Sequence, residues 1–460
     1  MKRKEVLSRR EFLQLSASVG MVAALGRFNS TKAAAAIRGA APVQDYKALV
    51  CLFMFGGNDG HNMVVPLGGP QYSAYTAARG AIAMPTNQLL SINDPVQGQF
   101  ALHYGLPEVQ ALYNQGQAAV VSNVGVLVRP TSFQDFQANN QLPTNLRSHA
   151  DQVVLMQTGF PNASGSTGWG GRAADAMAPS NTSATFPVSV SVSGSAIFCS
   201  GVTVQPASLQ PGNFLDQDAM SIYPPEAAAA RALAQQQIIA PNGGNSIIQA
   251  ANSVTAAALK LNPILKGTTG APSFKTAFPQ TTLGSQLFAI ANLISLRSQL
   301  GVGRQVFFCS LGGFDTHAGE SFQQWDLLQQ LSQAVSAFYN ATVEMGVSSD
   351  VTTFTMSDFG RTLQPSGSGS DHGWGNHHLV IGGAVNGGRI YGKFPLMTNY
   401  ANFNSTNDDY ADNRGVMLPN SALSQYGATL ARWFGATDPQ LDAVFPTLAN
   451  FPVRDLGFMQ

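Results

Sequence analysis

Four stretches rich in apolar and β-branched residues recur along the chain, and each runs into glycine, aspartate or serine. "ALVCLFMF" (Ala48 to Phe55) leads into "GGNDG", and "AAVVSNVGVLV" (Ala118 to Val128) leads towards "RPTSFQ". "RQVFFCSL" (Arg304 to Leu311) leads into "GGFDTHAGE", and "DVTTFTM" (Asp350 to Met356) into "SDFGRT". Such runs predict buried strands. Between them lie segments of helix length and helical period: "LPEVQALYNQG", "GSQLFAIANLISLRSQLG" and "ESFQQWDLLQQLSQAVSAFYNATVEMG". "SALSQYGATLARWFG" predicts a last helix. Strands alternating with helices predict an α/β fold, a three-layer sandwich with a mostly parallel central sheet.

The pattern changes between about residues 180 and 279. That region is rich in Ala, Gln, Asn and Ser and carries helical pieces such as "PEAAAARALAQQQIIA". It reads as a helical insertion or cap on one α/β domain spanning residues 37–460.

Composition narrows the partners. The chain has 460 residues, of which 44% are hydrophobic and only 11% charged, and its formal net charge is zero. Average globular proteins carry roughly 25% charged residues. Without a basic run beyond the N-terminus, nucleic acid is excluded as a partner class. The three cysteines, Cys51, Cys199 and Cys309, sit in apolar runs without CxxC spacing and read as buried free thiols.

The opening segment, "MKRKEVLSRREFLQLSASVGMVAALG", joins paired arginines (Arg9, Arg10) to Phe12 and a mildly apolar run. It resembles a twin-arginine export signal over residues 1–36, with a small-residue stretch at Ala33 to Ala36 for cleavage. No later stretch reaches the roughly 18 apolar residues of a membrane span. The mature chain is therefore expected to be periplasmic or secreted, with a co-exported protein as a candidate partner.

The candidate chemistry gathers at strand ends, where open parallel sheets bind ligands. Asp59 follows the first strand, Asp315 the third and Asp358 the fourth. A carboxylate just past a buried strand is costly unless it is solvated, hydrogen-bonded or bound to a cation. A helix N-cap is the plain alternative for any one of them. His317 lies two residues after Asp315, and "SDHGWGNHH" places His372, His377 and His378 beside Asp371. Mixed Asp and His donors suit zinc or manganese, as one or two ions. His61, His103 and His149 are weighed as pocket-lining, capping or core residues.

These motifs carry a resemblance. "FGGNDGHNMVVP", "LRSHADQVVLMQTG", "TGWGGRAAD", "GGFDTHAGE", "TMSDFGRT" and "GSGSDHGWGNHHLVIGGAVNGGRIYG" resemble a bacterial family of twin-arginine-exported proteins of unknown function. More widely, their order resembles the alkaline phosphatase superfamily, which includes sulfatases. The resemblance implies an alkaline-phosphatase-like fold and a metal centre drawn from Asp59, Asp315, His317, Asp358, His372 and His377. It implies Ser148 as nucleophile, although Thr131 and Ser132 also follow the second strand. Arg361 and Arg172 are candidate anion binders. Asp358 is followed by Phe359 where the superfamily has histidine, and Asp315 and His317 are closer together than in the phosphatases.

The expected function is an exported, metal-dependent hydrolase of phosphate or sulfate esters, with a serine nucleophile assisted by metal. The alternative is a non-catalytic, metal-binding accessory of the envelope or of secretion, which keeps the fold in degenerate form.

Overall fold

The computed structural model describes residues 45–162, 165–211, 274–401 and 407–460, with scattered positions between 224 and 237. The expected export signal lies outside the described residues. The strands are β1 Lys47–Phe55, β2 Val64–Pro66, β3 Leu89–Asp94, β4 Gly98–His103, β5 Ala118–Gly125, β6 Ser189–Ser191 and β7 Ala207–Ser208. They continue as β8 Arg304–Gly312, β9 Val351–Ser357, β10 Arg361–Ser366, β11 Gly369–His372, β12 Asn376–Gly382, β13 Ile390–Tyr391 and β14 Ser421–Ala422.

Nine of these build one sheet in the order β13-β5-β12-β9-β1-β8-β6-β7, with β14 also paired to β5. β1 is the central strand. It runs parallel to β8 from Lys47↔Arg304 to Phe55↔Gly312, and parallel to β9 from Ala48↔Val351 to Met54↔Ser357. β12 alone runs against its neighbours, β5 and β9, so the sheet is mixed but mostly parallel. Alternate residues of a strand face opposite sides of its sheet. Every residue from Ala48 to Met54 is buried, so both faces are covered.

Helices surround the sheet. Thr282–Ser295 packs on β8 and on the long helix Glu320–Glu344, which also meets Pro107–Asn114. In the long helix Leu327, Leu328, Leu331, Val335 and Phe338 are buried, the spacing of a single core-facing stripe. Trp169–Ala176 packs on β8 and on Asp438–Val444, and Leu423–Phe434 packs on β1 and β5. Trp169 is fully buried, with its ring 4.8 Å from Phe198, 5.3 Å from Phe354 and 5.5 Å from Phe445. Among the described residues no helix is long and apolar enough to cross a membrane.

The expected insertion needs a correction at its start. Residues 189–191 and 207–208 are strands of the main sheet, and β6 pairs with β8 at Ser189↔Val306. β6 lies in the alternating run Val188 to Ser193, a strand pattern inside an otherwise Ser-, Asn- and Ala-rich region, and β7 is too short to display a period.

Two small elements complete the frame. β2, β4 and β3 form an antiparallel sheet, and β10 with β11 forms a hairpin beyond the end of β9. That hairpin brings the "SDH" of Ser370 to His372 back over the ends of the parallel strands.

Candidate metal centre

The carboxyl ends of β1, β8 and β9 lie side by side, because the three strands are parallel and in register. Each then turns sharply. Gly56 has φ +114°, and a Cβ there would collide with the backbone of Asp315. The turn after β1 therefore lies directly against the turn after β8, and only glycine allows that approach.

Four side chains converge at this rim. Asp315 comes from the loop after β8, and His317 follows it two residues later. His372 ends β11, and His149 is the first residue of the helix His149–Thr158. The Nε2 atoms of His149 and His317 each lie 3.0 Å from Nε2 of His372. Asp315 Oδ1 lies 3.0 Å from His317 Nε2, 3.2 Å from His372 Nε2 and 3.4 Å from His149 Nε2. Tetrahedral ligands at 2.0–2.1 Å from a metal stand about 3.3 Å apart; the facing atoms of His149, Asp315 and His372 lie close enough together to hold one cation, and His317 stands beside them.

The second nitrogen of each ring explains why Nε2 faces inward. His149 Nδ1 donates to Asp358 Oδ2 at 2.7 Å, and His317 Nδ1 to Asp371 Oδ1 at 3.2 Å. His372 Nδ1 donates to the Arg147 carbonyl at 2.8 Å. Arg147 has φ +72°, uncommon for a side-chain-bearing residue, and this turn presents its carbonyl to the ring. With Nδ1 protonated, each neutral ring presents an Nε2 lone pair. The Nε2 atoms of His149 and His372 and the Asp315 oxygen, 3.0–3.4 Å apart, repel one another unless a proton or a cation lies between them. The pattern of acceptors behind histidines is the one that orients imidazoles on metals.

Burial would raise the Asp315 carboxyl, but the hydrogen bond and charge of Arg361 pull the other way, and it lies below the usual range. Burial lowers His372 and favours its neutral form. Burial raises Asp358, against the hydrogen bond from His149. The converging atoms are not sealed off: the side chains of Asp315 and His317 are each 46% exposed. A shallow, open depression of about 410 Å³ is lined by Phe55, Gly56, Ala150 and Val153 together with His149, Asp315 and Asp358.

The other candidate residues stand elsewhere. Asp59 caps the short helix Gly60–Met63, accepting from the His61 amide at 3.0 Å, and its second oxygen takes the buried Arg79 guanidinium. It is a cap paired with a guanidinium, apart from the four-residue group. His377 lies on the buried strand β12, where its Nδ1 accepts from the Asn123 amide and its ring stacks on Phe394. Strand continuation carries it away from His372 and into the core. Asp358 stands behind His149 and touches the group only through it.

Arg361 is fully buried with its donors taken by Ser370, the Gly56 carbonyl and Asp315 Oδ1, so it braces a carboxylate and has no donor directed to a substrate anion. Arg172 is likewise used on the carbonyls of Thr158, Thr167 and Val444. Ser148 is the N-cap residue of the helix His149–Thr158, and its hydroxyl donates to Asp151 at 2.6 Å. His149 was visible as a neighbour of Ser148. Only the pairing of its Nδ1 with Asp358, a contact 209 residues apart in sequence, turns its Nε2 towards this group.

Comparison with known proteins adds a family. No curated protein matches the chain. Among solved structures it is similar to Ps i-CgsB in complex with k-i-k-neocarrahexaose at TM-score 0.37 and 9% identity, over 86% of this chain and 74% of that one. It is also similar to the PsFucS1 sulfatase from Pseudoalteromonas sp., at TM-score 0.35 and 10% identity, over 89% and 72% of the two chains. Likeness of fold does not transfer chemistry between sites. Residues 46–444 match the profile described as "Protein of unknown function (DUF1501)". The chain belongs to the DUF1501 family.

Proposed function

We propose that His149, Asp315, His317 and His372 bind a single divalent metal ion, and that the protein is a metal-dependent hydrolase of phosphate or sulfate esters. One observation carries the metal: three imidazole Nε2 atoms face one carboxylate oxygen at 3.0–3.4 Å, each ring held from behind by its own acceptor. Three imidazoles with one carboxylate suit zinc or manganese. Such an ion supplies Lewis-acid polarisation of an ester oxygen. The protein's own contributions are separate. Asp358 and Asp371 keep His149 and His317 in the tautomer that offers Nε2, and Arg361 holds Asp315 in place. Phe55, Ala150 and Val153 form an apolar wall beside the ligands, against which the non-reacting part of a substrate can pack and exclude water. The N-terminal twin-arginine pattern is the basis for reading the protein as exported.

The test is hydrolysis of chromogenic phosphate and sulfate esters by protein reconstituted with zinc or manganese. Turnover that is lost with chelator, restored by metal and abolished in His372→Ala is expected. Absence of turnover on either ester class with metal fully bound would remove the hydrolase reading and leave the metal centre.

A second reading, a non-catalytic metal-binding accessory of the envelope or of secretion, is favoured by the engagement of the expected catalytic pair. Ser148 is hydrogen-bonded to Asp151, and Arg361 has its donors taken within the fold. Ser148→Ala tests the serine within the first reading: turnover that survives the change assigns it no nucleophilic role. The coordination count separates the two readings, because catalytic sites keep a position open to solvent or substrate and structural sites are closed.

A further inference from the structure

Behind the four residues lies a second, fully buried set of ionisable side chains. Arg79 comes from the helix Gly69–Arg79, Asp59 from the cap of the helix Gly60–Met63 and Glu320 from the start of the helix Glu320–Glu344; all three side chains are 0% exposed. Arg79 Nη2 binds both Asp59 and Glu320, the latter at 2.8 Å. Buried ion pairs are seldom better for stability than apolar packing of the same volume, so a purely stabilising purpose is a weak explanation for three such groups. Fixing one geometry among several is a better-attested role.

The geometry that these groups fix is that of the metal ligands. Glu320 Oε2 accepts from the Ser370 hydroxyl and from Thr316 Oγ1 at 3.3 Å. Thr316 lies between Asp315 and His317, and Ser370 lies two residues before His372. One carboxylate thus joins the loop that carries two ligands to the hairpin that carries a third. The joint is reinforced by the backbone: the Ser370 amide donates to the Thr316 carbonyl at 3.2 Å, and the Glu320 amide to the Ser368 carbonyl at 3.1 Å. Arg79 grips the other strand of the hairpin through the carbonyls of Thr362 (3.0 Å) and Leu363 (3.2 Å). The Ser370 hydroxyl, while donating to Glu320, accepts from Arg361 Nε at 3.0 Å, and Arg361 Nη1 donates to Asp315 Oδ1 at 3.1 Å. A continuous path of hydrogen bonds therefore runs from Arg79 through Glu320, Ser370 and Arg361 to Asp315.

We infer that Glu320 is a positioning residue: through Ser370 it sets the spacing between Asp315 and His317 on one side and His372 on the other, and with it the affinity of the group for a divalent metal. This rests on the metal-centre reading above. It differs from a role in holding the fold together, because it predicts an effect on the coordination sphere that loss of stability alone does not produce.

The probe is Co(II), titrated into the full chain after chelator treatment, with the visible absorption spectrum reporting ligand geometry and competition with a chelator reporting affinity. Ser370→Ala removes the link while leaving the Arg79–Glu320 pair in place. It is expected to weaken Co(II) binding about tenfold, the lower end of the range for groups that orient metal ligands, and to alter the spectrum. Its thermal midpoint without metal should stay close to that of the wild type. Glu320→Ala should weaken binding at least as much, and Glu320→Gln, which keeps an acceptor for Ser370, should restore the wild-type spectrum. Unchanged Co(II) affinity and spectrum in Ser370→Ala and Glu320→Ala, with wild-type protein binding the ion, would overturn the positioning role alone. Failure of the wild-type chain to bind Co(II) would overturn the metal-centre reading and this inference with it.

Discussion

At the scale of single residues, two histidines of similar appearance in the sequence do opposite things. His372 and His377 stand five positions apart in one motif. The first ends a hairpin strand at the open rim, and the second enters a buried strand beside Phe394. His372→Ala should abolish high-affinity metal binding with little effect on the metal-free fold. His377→Ala should do the reverse, destabilising the core on the order of 1–3 kcal/mol while leaving metal stoichiometry intact; paired metal titration and thermal melts check both. The buried carboxylate of Glu320 makes a separate prediction. Burial, and then the charge of Asp59, push its pKa up to about 8 from an ordinary value of 4.5. A folded-state pKa above the unfolded one means stability that is full below about pH 4.5 and is lost as pH rises towards 8. Glu320→Gln should flatten that decline in chelator-treated protein. An unchanged pH profile in the variant would place the titration elsewhere.

At the scale of elements, the site is assembled by turns. Gly56, with φ +114°, lets the end of β1 lie against Asp315, and Gly56→Ala should cost on the order of 1–3 kcal/mol and displace the ligand loop, read as weakened metal binding alongside a lower melting temperature. This scale also shows what was legible in sequence. The four apolar runs are strands β1, β5, β8 and β9, because strands buried on both faces are apolar almost throughout. Asp315, His317 and His372, singled out as acid and imidazole at a parallel strand end and beside an acid in a glycine-rich loop, do meet at one place in the structure. His149 was not singled out for that group. It begins a helix whose local pattern says nothing of Asp358, and only the meeting of distant segments gives its ring a direction. Asp59 stands apart from that group for the converse reason. Its partner, Arg79, is 20 residues away, and no local pattern tells a capping carboxylate paired with a guanidinium from one that ligates a metal.

At the scale of the whole molecule, the sheet is a rigid platform and the rim is a seam. β1, β8 and β9 tie segments 300 residues apart into one edge, and the hairpin and the helix His149–Thr158 close over it. Because the four residues proposed to bind it come from three separate segments, a metal that binds only the folded chain should stabilise it with the logarithm of its excess, by about 2.7 kcal/mol at a hundredfold excess over Kd. Trp169→Ala, on the sheet's helical cover, should cost about 3–5 kcal/mol and leave metal stoichiometry unchanged in the protein that folds. The most direct measurement is the metal content of the purified mature protein, set beside Asp315→Asn and His149→Ala. About one equivalent of zinc or manganese per chain, lost in both variants, is the predicted result. No bound transition metal in the wild-type protein, even after incubation with excess zinc and manganese, would contradict the metal centre.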